Sequence, residues 1–455
     1  MRVVLLATYE MGRQPFGLAS PAAWLRQAGA EVICQDLSRS RLDQEAIAAA
    51  DLVALYVPMH TATRIAAHVV AQVKVLNPRA HLCFYGLYAP MNTAFLRQLG
   101  AHTILGGEFE TGLVQLVHRL QGEPEGPAQQ PEPLISLTRQ QFLVPDRQDL
   151  PPLQTYTRLV VGPNTRRLVG YTEASRGCKH HCRHCPIVPV YAGRFRIVQR
   201  HIVLEDIRRQ VAAGAEHITF GDPDFFNGVS HALRLVDTLH QAFPQLTYDV
   251  TIKIEHLLRY AKHLPILRDT GCVLVTSAVE AVQDSILRLL DKGHTHQDFL
   301  AALALCRRLG IPLNPTFVAF TPWTSLVDYI ELLTVVATQG LIDHVAPIQL
   351  AMRLLVPAGS KLLELPEISP MLGAFDASAL TYRWEHPDAR VDRLCHEALT
   401  LVQSGEAEEA SRPEIFSRLW VAAHKAAEVP VPLVPAPEVA PPRSPIPYLD
   451  EPWYC

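Results

Sequence analysis

Two long blocks of this 455-residue chain alternate short apolar runs with stretches of helical period, and that alternation narrows the possible folds most. In the first block, residues 1–123, strands are expected at 3–7, 31–35, 52–57, 81–85 and 103–105. Helices are expected at 22–29 and 60–75, and again after Gly106-Gly107-Glu108 as far as residue 120. Such βα repeats build a parallel, doubly wound sheet, with a ligand crevice at the carboxyl ends of its strands. The loops 9–15, 58–61, 86–90 and 106–110 fall at that edge.

The second block is expected to place strands at 168–173, 217–220, 248–254, 273–278, 312–319 and 344–350, with helices between them. Six βα units imply a full or partial α/β barrel, whose site lies at the carboxyl ends of its strands. The class is α/β in both blocks. Residues 124–155, rich in Pro, Gln and Glu, read as a linker or strap ahead of a barrel domain over 156–375. Residues 376–428 read as a helical extension, and 429–455 as a Pro-rich mobile tail ending in Cys455. The 19 positions 429–447 suit extended polyproline II, which at ~3.1 Å per residue would let the terminal thiol sweep ~60 Å.

Hydrophobic residues make up 48% of the chain, enough for large cores, and the net charge of -4 comes with no basic stretch that would seek a nucleic acid. No apolar run is long enough to span a membrane, and the run after Met1 is too short for a signal peptide. Of nine cysteines, six are scattered singly, which fits a reducing, cytoplasmic setting and not a disulfide framework. Cys34, Cys83, Cys272, Cys306 and Cys395 sit among apolar neighbours and read as inert core residues.

The other three cysteines, Cys178, Cys182 and Cys185, follow the first barrel strand with C-x3-C-x2-C spacing. Three thiolates this close can hold three corners of a [4Fe–4S] cubane and leave one iron open to a ligand. Structural zinc, with help from His180, His181 or His184, is the alternative; zinc sites usually add a second ligand pair, and none follows here. Lys253 and Glu255 alternate with apolar residues in the expected third strand, so both would face a polar barrel interior or pair with each other. Gly221-Asp222-Pro223-Asp224, at the end of the second strand, is either a site loop or an ordinary turn. Gln349, Arg353 and Gly359-Ser360 mark the last strand and the loop after it.

The cysteine motif resembles that of the radical S-adenosylmethionine (radical SAM) superfamily, with His184 in the slot usually held by an aromatic residue. The resemblance implies that S-adenosylmethionine chelates the open iron and is cleaved reductively to give a carbon radical. Gly221, Asp222, Pro223 and Asp224 would meet its methionine amino group, and Arg353 its carboxylate. His184 would pack near the adenine, Glu280 would accept ribose hydroxyls, and Lys253 would belong to the same cofactor site. A flavodoxin or ferredoxin would be the electron donor.

The first block resembles the N-terminal cobalamin-binding-type (B12-binding-like, Rossmann-like) domain of one radical SAM subclass, without its Asp-x-His-x-x-Gly signature. Cobalamin binding is therefore open, and methylation is the reaction it would imply. The ending Glu451-Pro452-Trp453-Tyr454-Cys455 resembles a subgroup with Cys-Cys or Cys-selenocysteine before Ala-Glu-Pro. The chain is on that ground a selenoprotein candidate, cut at a UGA codon after Cys455. The resemblance as a whole implies an enzyme acting on a small, thiophilic molecule, with Cys455 as a reactive accessory group. A non-catalytic iron–sulfur carrier or sensor is the alternative.

Overall fold

The computed structural model describes residues 1–122, 131–162, 164–438 and 447–451. Strands β1 (Arg2–Ala7), β2 (Glu31–Asp36), β3 (Leu52–Tyr56), β4 (His81–Tyr85), β5 (Thr103–Gly107) and β6 (Ile135–Ser136) form one sheet in the order β2-β1-β3-β4-β5-β6. All of its pairings are parallel. Helices cover both faces, so the strands read as nearly unbroken apolar runs, and β3 (Leu-Val-Ala-Leu-Tyr) is buried along its whole length. Strand β6 comes from the Pro-rich stretch between the blocks. That stretch is a strap: Arg147 donates to both oxygens of Asp206 (2.9 and 3.0 Å), to Gln14 Oε1 (2.9 Å) and to the Tyr171 carbonyl (2.7 Å).

The second sheet uses β7 (Arg158–Gly162), β8 (Thr165–Thr172), β11 (His217–Phe220), β12 (Thr247–Thr251), β13 (Cys272–Glu280), β14 (Leu313–Phe317) and β17 (Tyr448–Leu449). Its order is β14-β13-β12-β11-β8-β7-β17. The five strands from β8 to β14 are parallel, while β7 and β17 run antiparallel at the edge. Short β9 (Ser175–Gly177) and β10 (Phe195–Ile197) pair beyond β8, and β15 (Leu372–Asp376) and β16 (Thr381–Trp384) form a separate hairpin.

The expected sixth barrel strand at 344–350 is a 3-10 turn over Pro347–Leu350 instead, and only a bridge between Phe320 and Arg353 continues the sheet. Proline has no N–H to give a ladder at that point. The partial barrel is closed by helices Ala389–Ala407 and Arg412–Ala426, whose Leu394, Ala398, Phe416 and Leu419 join the barrel's own core. Helices His296–Leu309 and Leu326–Thr338 start at capping boxes, Thr295 with Asp298 and Ser325 with Asp328.

The described parts of the tail are pinned. Trp420 Nε1 donates to the Pro432 carbonyl (2.8 Å), Glu438 N to the Thr338 carbonyl (2.8 Å), and β17 lies on β7. Proline removes donors but leaves carbonyls free, so such a segment can still be tied down by side chains of its neighbours.

A three-cysteine loop beside an interdomain cavity

The loop after β8 carries the three cysteines, and all three thiols are free. Gly177 enters it at φ +73°, where an added Cβ would run into the Tyr191 ring and the Arg194 carbonyl. The loop is stitched to the end of helix Asp284–Leu289: Arg183 N donates to the Leu290 carbonyl (2.9 Å), and its guanidinium to the carbonyls of Arg288 (3.1 Å) and Leu289 (2.8 Å). Asn227 Oδ1 accepts from Lys179 N (3.3 Å) and lies 3.9 Å from Cys178 Sγ.

Cys182 is buried, and Lys253 Nζ stands 3.6 Å from its sulfur. Burial pushes the Cys185 thiol up to about 12, with Lys292 pulling the other way. Free, desolvated thiols backed by two ammonium groups suit a site whose thiolates are shared with a metal cluster. The other described cysteines lie within hydrophobic cores.

Glu280, at the end of β13, adopts φ +72° where the register with β14 shifts. That conformation costs a non-glycine residue about 1–3 kcal/mol and marks a position the surroundings enforce. Its Oε1 lies 3.0 Å from His184 Nε2 and 3.2 Å from Lys292 Nζ. Burial alone would raise its carboxyl, but Lys292 and His184 outweigh it and hold the group at about 2. His184, Glu280 and Lys253 are thus gathered around the cysteine loop. Lys253 sits just before helix Ile254–Arg259, because β12 ends at Thr251.

Gly221, Asp222 and Pro223 line a cavity. Asp222 accepts from Ala174 N (2.9 Å) and Ser175 Oγ (2.5 Å), and burial raises its carboxyl to about 7. Asp224 turns away from the cavity: Oδ1 accepts from Phe226 N (3.0 Å), and Oδ2 faces His256 and His180. Arg353 is apart from all of these, stacked 3.5 Å over the Trp384 ring and bonded to Asp392 (2.7 Å). Cys455 lies outside the described residues.

The cavity measures about 870 Å³ and lies between the carboxyl edges of both sheets. The N-terminal loops contribute Glu10, Met11, Arg13, Pro58, Met59 and Gly107; the barrel contributes Thr219, Asp249, Thr251, Thr276, Asn314 and Gln349. Gly177 and Ile187, flanking the cysteines, form part of its wall, and Tyr448–Glu451 of the tail form part of its rim. Asp249 Oδ1 accepts from Thr219 Oγ1 (2.6 Å) and lies 2.8 Å from His217 Nε2, which fixes polar groups inside the barrel. Asn227 carries no signal in the sequence, and Lys292 shows there only within Asp291-Lys292-Gly293, which reads as a helix stop.

Residues 172–332 match the model of the radical SAM superfamily. A curated relative, tRNA-2-methylthio-N(6)-dimethylallyladenosine synthase of Chlorobium chlorochromatii (strain CaD3), is 28% identical over 150 residues, 30% of this chain and 32% of that protein. The Pelodictyon phaeoclathratiforme (strain DSM 5477 / BU-1) enzyme of the same name is 27% identical over 164 residues, 33% of this chain and 36% of its own. The chain therefore spans about a third of the length of the curated relatives it matches.

Among solved structures, the cobalamin-dependent S-adenosylmethionine radical enzyme OxsB with aqua-cobalamin and S-adenosylmethionine bound superposes with TM-score 0.71 at 13% identity, over 94% of this chain and 71% of that one. The radical S-adenosylmethionine methyltransferase TsrM from Kitasatospora setae superposes with TM-score 0.56 at 19% identity, over 74% and 72%. At these identities the likeness is one of fold. The match over residues 172–332, which contain the three-cysteine loop, identifies a radical SAM domain, and that domain implies a [4Fe–4S] cluster and S-adenosylmethionine as cofactors.

Proposed function

We propose that this enzyme transforms a small molecule held in the interdomain cavity, by group transfer or methylation started by reductive cleavage of S-adenosylmethionine. The observation that carries the reading is the cysteine loop, with three free thiols and two lysines, whose flanks Gly177 and Ile187 wall a cavity shared by both sheets. Cys178, Cys182 and Cys185 hold the cluster in this reading. When bound there, it supplies the electron that breaks a carbon–sulfur bond. Lys253 and Lys292 offset thiolate charge, His184 and Glu280 face the nucleoside side of S-adenosylmethionine, and Gly221–Pro223 its methionine side. A flavodoxin or ferredoxin delivers the electron.

Cobalamin is the second cofactor this reading favours, seated against the N-terminal loops. Support comes from the cavity's position, from the N-terminal residues Met59 and Gly107 in its wall, and from the bound aqua-cobalamin in OxsB. Met11 and Arg13 stand where a histidine ligand would otherwise come from. A small substrate is favoured over tRNA because the chain's net charge is -4 and its site is a cavity. Glu451 lies at the cavity rim, and the four residues after it reach at most about 14 Å, so Cys455 can serve a thiophilic substrate there.

The test is anaerobic reconstitution with iron and sulfide, with and without cobalamin, followed by dithionite and S-adenosylmethionine. Formation of 5′-deoxyadenosine or S-adenosylhomocysteine, absent in Cys182→Ala, is expected. An intact cluster with neither product would sink the reading in favour of a carrier or sensor.

A further inference from the structure

Beside the cysteine loop lies a group of side chains that the radical chemistry leaves unused. His180, between Cys178 and Cys182, meets Asp224 from the loop after β11 and His256 from helix Ile254–Arg259. One ligand atom from each lies within 4.8 Å of the other two. Asp224 Oδ2 stands 2.6 Å from His256 Nδ1 and 3.2 Å from His180 Nε2. The side chains of Asp224 and His256 are fully buried, and that of His180 is 12% exposed.

These contacts are short, yet the ring N–H bonds are not aimed at the oxygen. Asp224 Oδ2, His180 Nε2 and both nitrogens of His256 are left buried without a hydrogen bond. An unpaired buried polar atom costs about 1–3 kcal/mol, so four in one spot call for a further occupant. Two imidazoles and a carboxylate are the donor set of zinc and other divalent transition ions. Glu255 Oε2 lies 3.6 Å from the far nitrogen of His180, the place a carboxylate takes behind a metal-bound imidazole.

We propose that His180, Asp224 and His256 bind a single divalent transition-metal ion, zinc by preference, separate from the cluster. Asp224 supplies the negative charge and the two neutral imidazoles the nitrogen donors. The ion ties the cysteine loop to the end of β11 and to the helix after β12, and it takes no part in electron transfer.

The reconstituted holoprotein is incubated anaerobically with zinc chloride, desalted, and analysed for zinc and iron by mass spectrometry and for zinc ligands by X-ray absorption. Zinc at about one per chain, with nitrogen and oxygen neighbours at ~2.0–2.1 Å, is expected. At wild-type iron content, Asp224→Asn and His180→Gln each lose this zinc, and Glu255→Gln weakens it about 10–100-fold. The proposal is overturned by wild-type protein that retains no zinc, by sulfur neighbours at ~2.3 Å, or by zinc kept in both the Asp224 and His180 variants. None of these readouts requires turnover, so they stand apart from the test of the enzyme reaction.

Discussion

Arg176, two residues before the first cysteine, is 6% exposed and faces three carboxylates from both halves of the molecule, two buried and the third 15% exposed. Its guanidinium lies 2.6 Å from Glu110 and 3.5 Å from Glu108, both on the N-terminal side, and 2.7 Å from Glu173 in the barrel loop. The rings of Phe142, Phe109 and Phe16 surround it at 4.9, 5.4 and 5.6 Å. One cation cannot neutralise three carboxylates, and burial raises Glu108 to about 7 even with Arg176 in place.

Arg176→Met keeps the volume and removes the charge. Breaking a buried pair costs about 3–5 kcal/mol, and that is the loss expected at pH 8. Without the arginine, which lowers both, the carboxyls of Glu108 and Glu173, already raised by burial, rise further, so their penalty is absent below about pH 4.5, where they are protonated folded or unfolded, and grows as pH rises. The deficit should therefore shrink between pH 8 and pH 5. Adding Glu110→Gln to the variant should recover about 1–3 kcal/mol, the coupling expected of touching charges. Anaerobic urea titrations followed by circular dichroism measure all three quantities. A deficit below about 1 kcal/mol, or one independent of pH, or strict additivity of the two substitutions, would refute the argument.

Glu108→Gln should flatten the stability profile: the native carboxyl, raised by burial to about 7, loses about 3 kcal/mol of stability as pH climbs from 4.5 past 7, and the amide does not. Urea midpoints across that range check it. Cys178→Ala, Cys182→Ala and Cys185→Ala should each abolish both the cluster's visible absorbance and S-adenosylmethionine cleavage. Tyr448→Pro removes a donor from the β17–β7 ladder, and Asp450→Ala frees Thr157 Oγ1 (2.9 Å) and Arg158 N (2.7 Å). Both should release the rim of the cavity, lowering substrate conversion roughly tenfold, equivalent to about 1.4 kcal/mol, while substrate-free cleavage of S-adenosylmethionine persists. An equal loss of both activities would place the tail's role elsewhere.

What could be read from the sequence follows from what each signal depends on. Strands β1 to β5 are buried on both faces, so their apolar runs alone located them, and their order of alternation implied parallel pairing. The capping box of Thr295 and Asp298 is local chemistry within four residues, so its signal lies wholly in consecutive sequence. The stretch 344–350 failed for the opposite reason: its apolar content suits a strand, but Pro347 breaks the ladder and the chain coils into a 3-10 turn. Lys253 and Glu255 were given the alternation of a strand although β12 had already ended at Thr251.

The site divides along the same line. Cys178, Cys182 and Cys185 were legible because their meaning lies in spacing within one loop. Arg176 stood in plain view two residues earlier, yet its partners Glu108 and Glu110 are more than sixty positions away, and nothing local marks them as buried. The same holds for His184 with Glu280, and for His180 with Asp224 and His256. In each case a cysteine-loop residue or its neighbour receives a charged partner from another βα unit. The loop is thus positioned by long-range charge pairs, and only its thiol donors are written in consecutive residues. A substitution distant in sequence, at Glu110, should therefore disturb the cluster as surely as changes inside the motif.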